Sequence, residues 1–249
     1  MTGRASGRRS IACCLLGLFA ALSVGGIQGR AQQPAVPSLL QPLADARMLA
    51  GAAQPSTLDA RAVSVNLDAL AANVIDVQVP SGLVVRAELD RRERHGNGAQ
   101  TWAGHVADAP YSSVTLVSFE GVVQGSIRTL DGAYSLEPAG PGLHLIRQVE
   151  PRLLPPELEP IAAPADAADP TTDDPPIAGD DASTIDVLVL YTPGARTSAG
   201  GSDATVQTRI ALGVSETNTG YGNSGVTPRL RLVGTQLWNY VESGSISTV

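Results

Sequence analysis

The sequence predicts a multi-part α+β chain in which a β-rich module precedes an incomplete α/β unit of strand, helix and strand. Three observations carry this expectation. Short runs rich in β-branched residues, separated by turn signals, crowd into residues 58–150. A stretch dense in proline and acid occupies 151–184. Beyond it comes a nearly unbroken apolar run, Ile185 to Tyr191, and then apolar residues at helical spacing.

Residues 1–31 open with Arg4, Arg8 and Arg9, continue as an apolar run from Ile11 to Val24, and end in small residues at Gly29-Arg30-Ala31. That order is the order of a secretory signal peptide, with cleavage expected after Ala31. The run is shorter than the ~20 residues a bilayer-spanning helix needs. A secreted product, extracellular or periplasmic and without a membrane partner, is therefore expected. Arg8-Arg9 leaves a twin-arginine route open, although its flanks match poorly. A lipoprotein anchor at Cys13 fails because the apolar stretch follows that residue. Cys13 and Cys14 both lie in the leader, so the processed chain has no disulfide and no thiolate metal site.

Charge narrows the function classes. The formal net charge of -7 becomes -11 once the four leader arginines are removed. An acidic surface excludes nucleic acid as a partner, because phosphate binding needs basic residues. All basic side chains are arginine, which removes Schiff-base chemistry and the lysine of a phosphate loop.

Residues 32–57 are rich in Ala, Pro and Gln and read as a lead-in. Strands are expected at 63–67, 74–79, 84–89, 102–107, 113–119, 122–129, 134–138 and 143–149. Glu120-Gly121 and Asp131-Gly132 mark hairpin loops, since Asp-Gly readily takes positive φ. Val114 and Leu116 fall on one face of their strand, Val117 and Phe119 on the other. The 151–184 stretch carries too few large apolar residues to fold and reads as a linker, either a plain spacer or one exposed to processing proteases.

In residues 185–249 the run Ile185 to Tyr191 suits a strand covered on both faces of a parallel sheet. Thr192-Pro193-Gly194 ends it. Ser202 and Asp203 supply a cap and an acidic first turn for a helix over 203–220, where Val206, Ile210, Val214 and Tyr221 recur. A second strand is expected within 228–240. Such a crossover unit needs more polypeptide to shield its strands, so the α/β part reads as truncated.

No catalytic, metal-binding or cofactor-binding residue is assigned. His95, His105 and His144 lack ligand partners at metal-site spacing, apart from Glu93 near His95, and read as strand-surface residues. There is no H-E-x-x-H, no G-x-S-x-G, and neither phosphate-loop spacing within Pro193 to Ser202. Arg91-Arg92-Glu93-Arg94 has the form of a dibasic processing site but reads better as a solvated turn. Asp173-Asp174 and Asp180-Asp181 lack the glycine-shaped loop of a calcium site.

Two segments together carry a family resemblance. Trp102-Ala103-Gly104-His105-Val106, Ser112 to Leu116, Gly125 to Thr129, Tyr134 to Pro138 and His144-Leu145-Ile146 resemble the β-rich prodomain of reprolysin (adamalysin)-type zinc peptidases. Ile185 to Arg196, Glu216-Thr217-Asn218, Tyr221 to Val226 and Leu230 to Gly234 resemble the opening of a bacterial metzincin peptidase domain. The resemblance covers about three fifths of the chain. It implies a fold of β-rich prodomain plus partial α/β metzincin-like domain. It also implies a secreted zymogen that uses zinc, acts on a protein or peptide substrate, and has a prodomain contacting its peptidase domain. Glu216 and Asn218 match the family's first helix, where structural roles are expected, and neither is a zinc ligand. No cysteine survives export to serve a cysteine-switch.

The leading functional expectation is thus the N-terminal portion of a secreted zinc metalloendopeptidase zymogen, catalytically incomplete as it stands, with no cofactor in this chain. The alternative is a stand-alone exported β-rich protein that binds or inhibits a peptidase in trans. A third possibility is an unrelated surface or adhesion protein.

Overall fold

The computed structural model describes residues 35–43, 54–109, 111–154 and 183–241. The leader with its Ala31 cleavage point, and 155–182 of the proline- and acid-rich stretch, lie outside the described residues. The strands are β1 (Leu40–Pro42), β2 (Thr57–Val65), β3 (Val74–Gln78), β4 (Val84–Arg94), β5 (Gln100–Val106), β6 (Ser113–Phe119), β7 (Val122–Thr129), β8 (Gly132–Gly140) and β9 (Leu143–Val149). They form one nine-stranded sheet in the order β1-β2-β9-β8-β7-β6-β5-β4-β3, with every named pair antiparallel. Its two ends meet: the Leu39 N–H donates to Asp76 O at 2.9 Å, and the Asp76 N–H donates to Pro37 O at 3.0 Å. The sheet is thereby nearly closed into a barrel, which satisfies edge groups that would otherwise seek another chain.

Alternation decides which side chains fill the barrel. Val114 and Leu116 of β6 point inward and pack with Trp102, Val123, Ile127 and Ile146, all buried. Trp102 Nε1 donates to Ala72 O at 3.0 Å, so the one polar atom of that ring is satisfied inside the core. The β6–β7 hairpin turns on Glu120 (φ 48°) and Gly121 (φ 81°), the primed geometry that matches strand twist. The β7–β8 loop differs from expectation, because neither Asp131 nor Gly132 has positive φ. Instead the Thr129 hydroxyl clasps the turn, donating to Gly132 O at 3.1 Å and accepting from the Asp131 N–H at 3.2 Å.

After the barrel come β10 (Thr184–Tyr191), α1 (Pro193–Ser198), α2 (Asp203–Asn223) and β11 (Arg229–Leu237). Ser202 caps α2 in a capping box, its Oγ accepting from the Thr205 N–H at 3.1 Å. β10 and β11 pair in parallel, with a register shift between Val187 and Leu188.

The expected fold, a β-rich prodomain followed by a partial α/β metzincin-like domain, is overturned. The described residues form a nearly closed nine-strand antiparallel barrel accompanied by two α-helices, and those from Val36 onward belong to one compact unit. On the outward face of the barrel Val117 and Phe119 of β6, with Ala99 of the β4–β5 turn, make an apolar patch that needs cover. Helix α2 supplies that cover: Val117 and Ala99 share a buried cluster with Ala211, Val214 and Leu232. A second expectation also changes. β10 is covered on one face, while Leu188 is 59% and Leu190 52% exposed on the other. No helix among the described residues is long and apolar enough to cross a membrane, a statement about helices alone.

Candidate functional site

The densest polar chemistry lies in the seam where α2 and β11 meet the barrel. The β4–β5 turn reaches across it. The Gly96 N–H donates to Leu232 O on β11 at 2.9 Å. Asn97 Nδ2 donates to Gln207 Oε1 on α2 at 2.8 Å, and that same oxygen accepts from Thr235 Oγ1 at 2.6 Å. Further along, Gln124 Nε2 donates to Thr205 O at 2.8 Å, Arg91 Nη2 to Thr219 Oγ1 at 3.1 Å, and Ser126 Oγ to Glu216 Oε1 at 2.5 Å. Asn218 ties α2 to β11: its Nδ2 donates to Leu230 O at 2.8 Å, and its Oδ1 accepts from the Leu230 N–H at 2.7 Å.

At the centre three side chains form a closed triangle. His95 Nε2 lies 2.8 Å from Thr101 Oγ1 and 3.2 Å from Ser215 Oγ, and the two hydroxyl oxygens are 2.8 Å apart. Glu93 Oε1 stands 3.8 Å from His95 Nδ1. A serine, a histidine and a carboxylate invite a nucleophile reading. Burial rules it out, because Ser215, Thr101 and His95 are 0%, 2% and 4% exposed and leave no room for a substrate. The triangle is a tie between barrel and helix.

The histidines therefore depart from the sequence expectation of surface positions. His95 is capped by α2. His144 shares the inward face of β9 with Ile146, where its Nε2 accepts from the Val123 N–H at 3.2 Å and its Nδ1 finds no partner. Burial lowers the pKa of both: it is the sole cause for His144, and for His95 it is opposed in part by Glu93. His105 alone stays at the surface, its Nδ1 2.9 Å from Asp90 and its Nε2 3.7 Å from Glu88.

A cleft of about 560 Å³ opens beside the seam and is lined in part by Asp90, Arg91, Glu93, Asn218, Arg229 and Arg231. Its cations are already engaged: Arg91 by Thr219, Arg229 by the carbonyls of Thr227 and Pro228, and Arg231 by both oxygens of Asp186. Among the described residues no three His, Cys, Asp or Glu side chains converge on a point that could hold a metal, so these residues do not fit a zinc ion. Nothing in the sequence signalled that residues 95, 101 and 215 would meet; the one local hint was Glu93 two positions before His95.

A family described as BamI lipocalin-like domain matches residues 44–143. A peptidyl-Asp metalloendopeptidase of Xanthomonas campestris pv. campestris is 28% identical over 219 residues, covering 78% of this chain and 50% of its own length. One of Stenotrophomonas maltophilia is 31% identical over 219 residues, with 79% and 50% covered. One of Pseudomonas aeruginosa is 41% identical over 64 residues, 26% of this chain and 10% of its own. A solved structure titled "Structure of a chaperone-substrate complex" is 13% identical, with a TM-score of 0.38 over 49% of this chain and 94% of that one, a likeness too slight to build on. The chain spans about half the length of the first two curated relatives. Its similarities are thus to metallopeptidases over most of the chain and to a lipocalin-like domain over 44–143.

Proposed function

We propose that this chain is the N-terminal part of a secreted zinc metalloendopeptidase made as a zymogen, and that its barrel is the pro-region. The observation that supports the reading is the seating of α2 and β11 on the barrel: the polypeptide after the proline- and acid-rich stretch uses the barrel face as part of its own core. A pro-region held this way helps its partner segment fold and is released when the connection is cut. On this reading the product is extracellular or periplasmic and its substrate is a protein or peptide. The relatives' name points to aspartyl residues in that substrate. The reprolysin-type resemblance enters as reaction class alone, zinc-dependent peptide hydrolysis. The described residues do not fit zinc, so no step is assigned to them and the chain by itself is expected to show no chelator-sensitive proteolysis. The acidic charge argues against nucleic acid as a partner.

The lipocalin-like match supports a second reading, a stand-alone exported barrel that binds or inhibits a peptidase in trans. Sequencing the N-termini of the species secreted by the native host separates the two. The zymogen reading expects a species that starts within 155–184 and lacks the barrel. A single secreted species that keeps the barrel overturns it in favour of the second.

A further inference from the structure

We propose that the triangle of His95, Thr101 and Ser215 is an acid-released latch that fastens α2 to the barrel. Each corner comes from a different element: His95 from the β4–β5 turn, Thr101 from β5 and Ser215 from α2. Because Nδ1 faces the Glu93 carboxylate, we assign the ring proton of the neutral imidazole to Nδ1; Nε2 then accepts a hydroxyl proton from one of the two, and the other hydroxyl donates to its neighbour. A proton taken from solvent onto Nε2 turns that acceptor into a donor. The two hydroxyls must then turn to accept it, which leaves one more proton than the triangle has acceptors for, in a buried seam that also receives a positive charge.

The surroundings do little to stabilise that charge. Glu93 on β4 is the nearest carboxylate, at 3.8 Å, too far for a direct hydrogen bond. α2 presents Ser215 and β5 presents Thr101, neither of them charged, and β11 presents the Leu232 carbonyl to the adjacent Gly96. Arg91, Arg229 and Arg231 share the neighbouring cleft with Glu93, and Arg92 and Arg94 line a pocket with it on the other side. Burial holds His95 below the ordinary histidine pKa. A depressed folded-state pKa means the latch is fully engaged above the unfolded value, about 6.5, and is lost as pH falls through the folded value. His144 shifts in the same direction but sits inside the barrel, so its protonation loosens strands and not the helix seam. The latch belongs to this chain on its own and does not depend on the peptidase reading.

The test is hydrogen exchange of the whole chain at pH 7.5 and 5.5, corrected for the intrinsic pH dependence of exchange. The measurement is made in a His144→Gln protein, which removes the acid-sensitive group of the barrel itself: protection of α2 amides is expected to fall several-fold at pH 5.5, while β8 and β9 hold theirs. Adding His95→Gln should abolish that response. Should His95→Gln not fold, Ser215→Ala serves, since it removes the helix's corner of the triangle: α2 should then be less protected already at pH 7.5 and respond less to acid. Protection of α2 that is equal at the two pH values, or that falls in step with β8 and β9, overturns the latch.

Discussion

A methyl group placed on Gly96 would collide with the backbone of β11. An ideal Cβ there lies 2.5 Å from Val233 O and 2.6 Å from Leu232 O, closer than real contacts allow. Neither atom can swing aside, because both belong to a strand paired with β10. In Gly96→Ala the β4–β5 turn must back away, which stretches the 2.9 Å bond from the Gly96 N–H to Leu232 O. Overpacking costs about 1–3 kcal/mol, and the lost hydrogen bond adds about 0.5–1.5 kcal/mol. A loss of about 2–4 kcal/mol follows. Gly96 is not among the positive-φ glycines, so the effect is steric and not conformational. Gly121→Ala provides the contrast, with φ at 81° and nothing within 4 Å; left-handed strain alone costs about 1–2 kcal/mol. Urea unfolding gives both values, and hydrogen exchange locates the damage, which should fall on β11 for Gly96→Ala and on the β6–β7 hairpin for Gly121→Ala. A Gly96→Ala protein within about 0.5 kcal/mol of the parent, the scatter of ordinary surface changes, with β11 protection unchanged, refutes the claim that this turn pins the strand.

Adjacent residues of β6 should fail in different places. Leu116→Ala removes an inward side chain and costs about 2–5 kcal/mol, loosening the barrel; Val117→Ala removes an outward one and costs about 2 kcal/mol, loosening α2 first in exchange measurements. Asn218→Ala deletes both bonds to Leu230 and leaves a half-buried backbone N–H and C=O without their partner, so about 1–3 kcal/mol should be lost, with β11 amides the most affected. Gly213→Ala should stabilise the chain by about 0.5–1 kcal/mol, because the site is helical and a Cβ meets nothing within 4 Å; a lower urea midpoint would count against the placement of α2.

Local structure was legible where alternation and turn chemistry speak for themselves. β6, β7 and β9 have the bounds expected from their β-branched runs, and the opposed faces of Val114/Leu116 and Val117/Phe119 are the inward and outward faces of the barrel. The start of α2 followed from Ser202. Long-range partners were not legible. Three-residue β1 lies in an Ala- and Pro-rich lead-in with no strand signature, yet its neighbourhood closes the barrel on β3. The apolar run of β10 suggested burial on both faces, but hydrophobicity alone does not say what covers a residue, and Leu188 and Leu190 face outward. Helix α2 buries Thr205, Thr208, Ser215 and Asn218 beside its apolar side chains, because it is held on one side by the barrel and on the other by β11. Such a helix has a blurred apolar stripe, and its two-sided packing is invisible to periodicity. The triangle was hidden for the same reason, since its members are 114 and 120 positions apart across the seam.

The account rests on the barrel and the polypeptide after it sharing one core. Trp102 lies in the barrel interior, and the only other tryptophan of the chain is Trp238, beyond β11. In a Trp238→Phe protein, fluorescence reports the barrel while ellipticity at ~222 nm is dominated by the helices, chiefly α2. Urea transitions followed by these two signals should coincide in midpoint and slope, as one cooperative unit requires. Two separated transitions, with the helix signal melting apart from Trp102, would contradict the shared core and the pro-region proposal built on it.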